Sequence, residues 1–137
     1  KELASLAGIE CEIINGYGKL STSFKNLKTP NHSWNAVKLN NKWYLCDATW
    51  SSGFVDHTGW FKFYYTDAFF LMAPKKFAES HRPLDSKWLL TSKETVDSFL
   101  TYPILYNASF RHKILPVSPS LMQIDIKKNE DILFELK

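Results

Sequence analysis

The residues best equipped for chemistry are His32 and Asp47, both in the stretch NHSWNAVKLNNKWYLCDATW that runs from Asn31 to Trp50. An imidazole gives and takes protons near neutral pH, and a carboxylate beside it orients the ring and stabilises its charged form. Whether the two meet depends on the elements that carry them. β-Branched and aromatic residues alternate with polar ones on both sides of Asn40-Asn41, a dipeptide that tolerates positive φ, so the stretch is expected to form two strands joined by a two-residue turn. Leu39 then pairs with Lys42, Trp34 falls opposite Asp47, and His32 falls opposite Thr49. Cross-strand partners share a face, so His32, Trp34, Leu45, Asp47 and Thr49 project to one side, with His32 and Asp47 diagonal neighbours about 7 Å or less apart. A three-residue loop would instead bring Asn35 beside Asp47 and turn His32 away, whereas four residues would keep the pairing.

The totals bound what such a site can sit in. A chain of 137 residues accommodates one ordinary domain and is too short for two. Its hydrophobic share of 45% and charged share of 23% are those of a globular protein. Five Trp, six Tyr and ten Phe exceed what such a chain needs, which fits a β-containing core or an aromatic-lined cleft. The net charge is only +3, and the lysines are spread rather than massed, so no nucleic-acid partner is expected. No apolar run approaches the ~20 residues of a spanning helix, so no membrane partner is expected either.

Around the hairpin, Leu3, Leu6 and Ala7 follow helical spacing and Gly8 suits a C-terminal cap. A strand is expected over residues 9–17, with Cys11 and Ile13 on one face and Glu10 and Glu12 on the other. Residues 18–30 are polar and read as a loop bordering a cleft. Residues 51–59 read as a second loop, the densely aromatic 60–71 follows, and 69–72 reads as a strand. Pro74 suits the first position of a short helix to about residue 80. Thr91-x-x-Glu94 has the form of a capping box opening a helix to about Leu100, which Tyr102-Pro103 stops. Beyond Pro116 and Pro119, the alternation of Met122, Ile124 and Ile126, and after KKNED of Ile132, Phe134 and Leu136, predicts two strands of a hairpin. Those last residues cannot bury a core alone, so they are read either as the start of a β domain or as a ribbon packed on the main one.

Other candidate groups are weaker. Cys11, between two glutamates on a strand, reads as a small core residue, because a reactive thiol needs an electropositive and partly exposed setting. Two cysteines are too few for a disulfide scaffold, though one bridge between Cys11 and Cys46 fits the count. Asp56-His57 reads as a solvated turn, His81 as a helix-ending residue and His112 as surface. Four histidines without HxxxH or CxxC spacing give no metal site, glycine-rich phosphate loops are absent, and no cofactor is expected. Asn31-His-Ser and Asn107-Ala-Ser are formal glycosylation sequons, but a glycan on Asn31 would crowd His32.

HSWNAVKLNNKWYLCDATW, preceded by AGIECEIINGYGK, resembles the core of the transglutaminase-like superfamily of papain-like cysteine enzymes. The later FFLMAPKKFAESHRPLDSKWLL is similar to its kyphoscoliosis-peptidase-like branch. The likeness is strong over the first 50 residues and looser over 60–112, and residues 113–137 are similar to the β domain that often follows this core. It implies a Cys-His-Asp triad in which His32 is the general base and Asp47 its orienting carboxylate, with Trp34 and Trp50 walling the substrate-binding site. It also implies a nucleophilic Cys opening the helix that ends in AGI, where the first-turn amides lower its pKa. None of residues 1–7 is Cys, so that position is expected before Lys1, on a helix of which this chain carries only the end. Cys46 cannot replace it, because its neighbour Asp47 faces the other way on a strand.

The expectation is therefore an α+β fold of papain-like, transglutaminase-like architecture: a core over 1–114 with an antiparallel sheet packed on helices, and a β appendage over 115–137. The function implied is acyl transfer through a cysteine thioester on a protein or peptide substrate. Water as acceptor gives a protease or deamidase, and a lysine amine gives a crosslinker. The competing readings are a non-catalytic module that binds proteins or peptides, and a purely structural His-Asp hydrogen bond.

Overall fold

The computed structural model describes residues 1–19, 27–112 and 114–137, so most of the 18–30 connection lies outside the described residues. Helix α1 (Glu2–Leu6) ends as its spacing predicts, with Gly8 in the left-handed region at φ 70°. It leaves Leu3 and Leu6 exposed. Strand β1 (Cys11–Gly18) follows, then β2 (His32–Leu39) and β3 (Lys42–Cys46). Asn40 and Asn41 join the last two with φ of 49° and 60°, the twist that a two-residue hairpin turn requires. The register is the expected one: Leu39 pairs with Lys42, and the ladder runs back to Asn35 opposite Cys46.

The second strand is shorter than expected. At Asp47 the chain leaves the ladder, because the Asp47 carboxylate caps helix α2 (Ala48–Ser52) by accepting the Trp50 N–H. Thr49 therefore lies on an exposed helix and not opposite His32. The expected loop over 51–59 is instead the end of α2 and strand β4 (Gly53–Val55), which pairs with β5 (Phe61–Phe63). Asp56 holds the turn between them by accepting from the Thr58 and Trp60 amides, which places His57 in the solvated turn expected there. This ribbon and its flanks hold Phe54, Trp60, Phe63 and Tyr65 in solvent, so part of the aromatic surplus lies outside the core.

Strand β6 (Phe70–Met72) pairs with β3, and α3 (Pro74–Ala78) starts at the expected proline. Strand β7 (His81–Pro83) pairs with β1, giving a five-stranded antiparallel sheet in the order β6-β3-β2-β1-β7. A 3-10 turn (Ser86–Leu89) follows. Helix α4 (Val96–Thr101) opens at Thr95, whose hydroxyl and Ser98 form the capping box, so the expected box at Thr91 and Glu94 does not form. Glu94 is otherwise engaged: its carbonyl accepts from Arg82 Nη1 at 2.6 Å and its carboxylate from the Tyr102 hydroxyl at 2.9 Å. After α5 (Asn107–Arg111), β8 (Pro116–Ser118) pairs with β9 (Glu135–Leu136). The strand expected through Met122, Ile124 and Ile126 is absent, and those side chains are exposed. The whole is a mixed α/β fold with an antiparallel sheet and a few short helices.

The core lies on one face of the sheet, where Ile14, Trp34, Ala36 and Leu45 meet Phe69 and Phe77. Each large side chain buried there contributes on the order of 2–3 kcal/mol. The inward residue of β1 is Ile14, whereas Ile13, expected to be inside with Cys11, is 54% exposed. Cys11 is buried, but on the opposite face of the sheet, paired with Val37. Both cysteines are free thiols.

Candidate active site

His32 opens β2 and Asp47 closes β3, so both sit at the same end of the central hairpin and on its core face. His32 Nε2 lies 2.5 Å from Asp47 Oδ2. A carboxylate can only accept, so the proton of this bond sits on His32 Nε2, and in the neutral ring Nδ1 keeps its lone pair. Among the described residues Nδ1 makes no hydrogen bond. The His32 side chain keeps 12% of its exposure and Asp47 only 1%.

A third residue completes the cluster. His81, expected to end a helix, instead opens β7 and is fully buried; its Nε2 lies 3.0 Å from the same Asp47 Oδ2. Its other nitrogen, Nδ1, lies 2.8 Å from the Ser80 hydroxyl. The Asp47 carboxylate thus accepts Nε2–H bonds from two histidines on Oδ2 and the Trp50 amide on Oδ1 at 3.0 Å. Burial alone would push the Asp47 carboxyl up, but the hydrogen bonds from His32, His81 and Trp50 hold it well below the usual carboxylate range. Burial pushes His81 down, against the pull of Asp47, so it stays neutral.

The three ligand-capable atoms lie within 4.8 Å of one another, compact enough to surround a metal ion, although no local spacing in the sequence suggests it. Two of the three pairs are already at hydrogen-bond distance through one shared oxygen. The members are joined by protons, and we read the group as a hydrogen-bonded cluster rather than a ligand set.

Aromatic rings hold the cluster. The His32 ring stacks on Trp50 with centroids 5.0 Å apart and tilts against Trp34 at 6.0 Å. His81 stacks on Phe77 at 4.0 Å and touches Trp50 at 4.4 Å. Trp34 is buried in the floor, and Trp50, partly exposed, backs the His32 ring. The near side of His32 faces an open cleft of about 720 Å³, bordered by Asn15, Asn31, Ser33, Thr49 and Leu84. The Asn31 side chain spans Gly18, accepting from its amide and donating Nδ2–H to its carbonyl. A glycan on that nitrogen would break the clamp beside His32.

Neither cysteine joins this group. Cys46 pairs with Asn35 on the other face of the sheet, and burial pushes its thiol up to about 11. What the described residues bring together is two histidines on one carboxylate and two tryptophans, without a cysteine.

No family model matches the chain. It is 38% identical over 94 residues to the kyphoscoliosis peptidase of Homo sapiens, a match covering 66% of this chain and 14% of that protein. It is 26% identical over 129 residues to Hillarin of Drosophila melanogaster, covering 82% of the chain and 16% of Hillarin. It is 23% identical over 129 residues to the LIM and transglutaminase domain protein of Caenorhabditis elegans, covering 83% and 18%. The chain thus spans less than a fifth of the length of these relatives. At modest identity and partial coverage, the names indicate a transglutaminase-like relationship.

Proposed function

We propose that this chain is the base-bearing half of a papain-like, transglutaminase-like active site that performs acyl transfer through a cysteine thioester on protein or peptide substrates. One observation carries the reading: Asp47 occupies His32 Nε2 at 2.5 Å and leaves Nδ1 unengaged beside an open cleft. A thiol placed against Nδ1 would pass its proton there, giving a thiolate and an imidazolium that Asp47 stabilises. The thiolate attacks an acyl carbonyl, the C–S bond forms, and the imidazolium gives its proton to the departing amine as the C–N bond breaks. Water or a lysine amine then attacks the thioester, yields its proton to His32, and releases the thiol. Trp34 and Trp50 wall the site against bulk water, and an extended polypeptide lies in the cleft.

The nucleophile has to come from outside these 137 residues. That requirement favours a second reading, a non-catalytic module that keeps the cleft for binding proteins or peptides, because both cysteines of the chain sit on the sheet face opposite His32. Iodoacetamide labelling near neutral pH of the protein carrying the segment before Lys1 separates the two. The acyl-transfer reading expects rapid labelling of a cysteine there, lost in His32→Ala. Equal labelling with and without His32, or no cysteine in that segment, leaves the binding module.

A further inference from the structure

We propose that His81 is a positioning residue of this site: through a second N–H on the oxygen that His32 uses, it holds the Asp47 carboxylate in the orientation and charge state that fix the His32 tautomer. The inference rests on the proposed acyl-transfer reading for its meaning, but its geometry stands alone. Asp47 is 1% exposed, and an isolated carboxylate so buried would take up a proton and lose the charge that makes it an acceptor only. The Trp50 amide satisfies only Oδ1. Oδ2 accepts the His32 bond on one lone pair and has a second lone pair to satisfy away from water. His81 Nε2 is the donor to it, at 3.0 Å.

The surroundings of His81 make its donor permanent. Its ring is enclosed by Phe77 of α3, Trp50 of α2, Trp34 of β2 and Phe69. Among the described residues, the titratable groups that face it are Asp47 and His32. The Asp47 carboxylate can only accept, so Nε2 carries the ring proton, and in the neutral ring Nδ1 accepts from the Ser80 hydroxyl at 2.8 Å. With Nδ1 accepting, the ring proton is confined to Nε2 and aimed at Asp47. Ser80, His81, Asp47 and His32 form one hydrogen-bonded cluster in which both histidine Nε2–H groups converge on Asp47 Oδ2.

The test is NMR on this chain, without substrate or added cysteine. In the wild type, the His81 ring nitrogens should report a neutral Nε2–H ring at neutral pH, and neutral His32 should show the same tautomer. In His81→Phe, which keeps the ring stack and removes the donor, the Asp47 carboxyl carbon should titrate upward by about 1 pH unit or more, and His32 should become a mixture of tautomers. His81→Gln, which returns an N–H near the Nε2 position, should restore both signals toward wild type. A charged or Nδ1–H His81 in the wild type overturns the proposal even if the phenylalanine variant does not fold. So does a folded His81→Phe chain with unchanged Asp47 and His32 signals. These readouts involve no acyl chemistry, so their failure leaves the thioester reading standing, and failure of thiol labelling leaves the tautomer result standing.

Discussion

Gly18 and His32 face each other so closely that a methyl group on Gly18 would lie 3.1 Å from both Cβ and Cδ2 of the imidazole and 2.9 Å from Trp50 Cζ2. The glycine is part of how the His32 ring is seated, since its amide and carbonyl are also clamped by Asn31. Gly18→Ala presses on His32 Cβ and Cδ2 and on the edge of the Trp50 ring, all side-chain atoms, so it is expected to cost about 1–2 kcal/mol of stability while displacing His32 from Asp47. Gly16, two residues earlier on β1, differs: its added Cβ would fall 2.2 Å from the Arg82 carbonyl oxygen, which is backbone. Gly16→Ala must push β7 off β1 and is expected to cost about 3 kcal/mol. Urea unfolding of both variants, with the His32 ring signals of Gly18→Ala, checks this; equal destabilisation by the two would contradict it.

The buried cluster also predicts how acid unfolds the protein. His81 is held below its ordinary value of about 6.5, so as pH falls the unfolded chain binds a proton there that the native chain refuses. Native stability therefore drops on acidification below that value, by up to about 1.4 kcal/mol per pH unit for this one group. Asp47 is shifted the same way from a lower starting point: its contribution is complete above the ordinary carboxylate value of about 3.9 and is lost as pH falls beneath it. Urea unfolding from about pH 7.5 to pH 5 should show the first slope in the wild type and a flatter one in His81→Gln. Parallel slopes would remove His81 as its source.

The local chemistry of the sequence reaches as far as the hairpin and stops at its partners. Asn40-Asn41 and the alternation around them fix the register that brings His32 to Asp47, because a one-residue slip would turn every side chain over. Alternation places Asp47 on the strand, but its carboxylate caps α2 and ends β3 at Cys46. His81 is separated from Asp47 by 34 residues and reaches it because β7 pairs with β1 at the far edge of the sheet. No periodicity encodes which edge a three-residue strand will join. The capping box moved from Thr91 to Thr95 for a related reason: Glu94 is used to tie β7 and Tyr102 together. At the C-terminal end, alternation without a surface to cover the apolar face leaves Ile126 and Phe134 exposed.

Lys19 supplies a prediction on the alkaline side. It is 4% exposed, donates Nζ–H to the Tyr102 carbonyl at 2.8 Å and lies 5.0 Å from the centre of the Phe99 ring. Burial lowers its ammonium to about 8, against the opposing pull of Glu79. Between that value and the ordinary lysine value near 10.4, the unfolded chain holds a proton that the native chain has released, so stability rises with pH across the window. Lys19→Met should abolish the rise between about pH 8 and pH 10, measured by urea unfolding at fixed ionic strength. A rise of equal size in the variant would assign it elsewhere.

The turn at Asn40-Asn41 can be used to ask whether hairpin register controls the site. Asn41 sits at φ 60°, a conformation that glycine adopts freely and that a β-branched residue resists by about 1–2 kcal/mol. Asn41→Gly should therefore leave stability unchanged or raise it by about 0.5 kcal/mol, and the His32 and Asp47 signals should stay where they are. Asn41→Val should destabilise the chain by about 1–2 kcal/mol, because the two-residue loop has no relaxed geometry left. If the strain is relieved by a three-residue loop, Asn35 replaces His32 beside Asp47, and the two histidine N–H bonds to its carboxylate are lost together. Cross-strand NOEs between Leu39 and Lys42 report the register directly. A valine variant with those NOEs intact, full stability and an unshifted His32 would mean that packing against Trp34 and Leu45, and not the turn, sets where Asp47 lands.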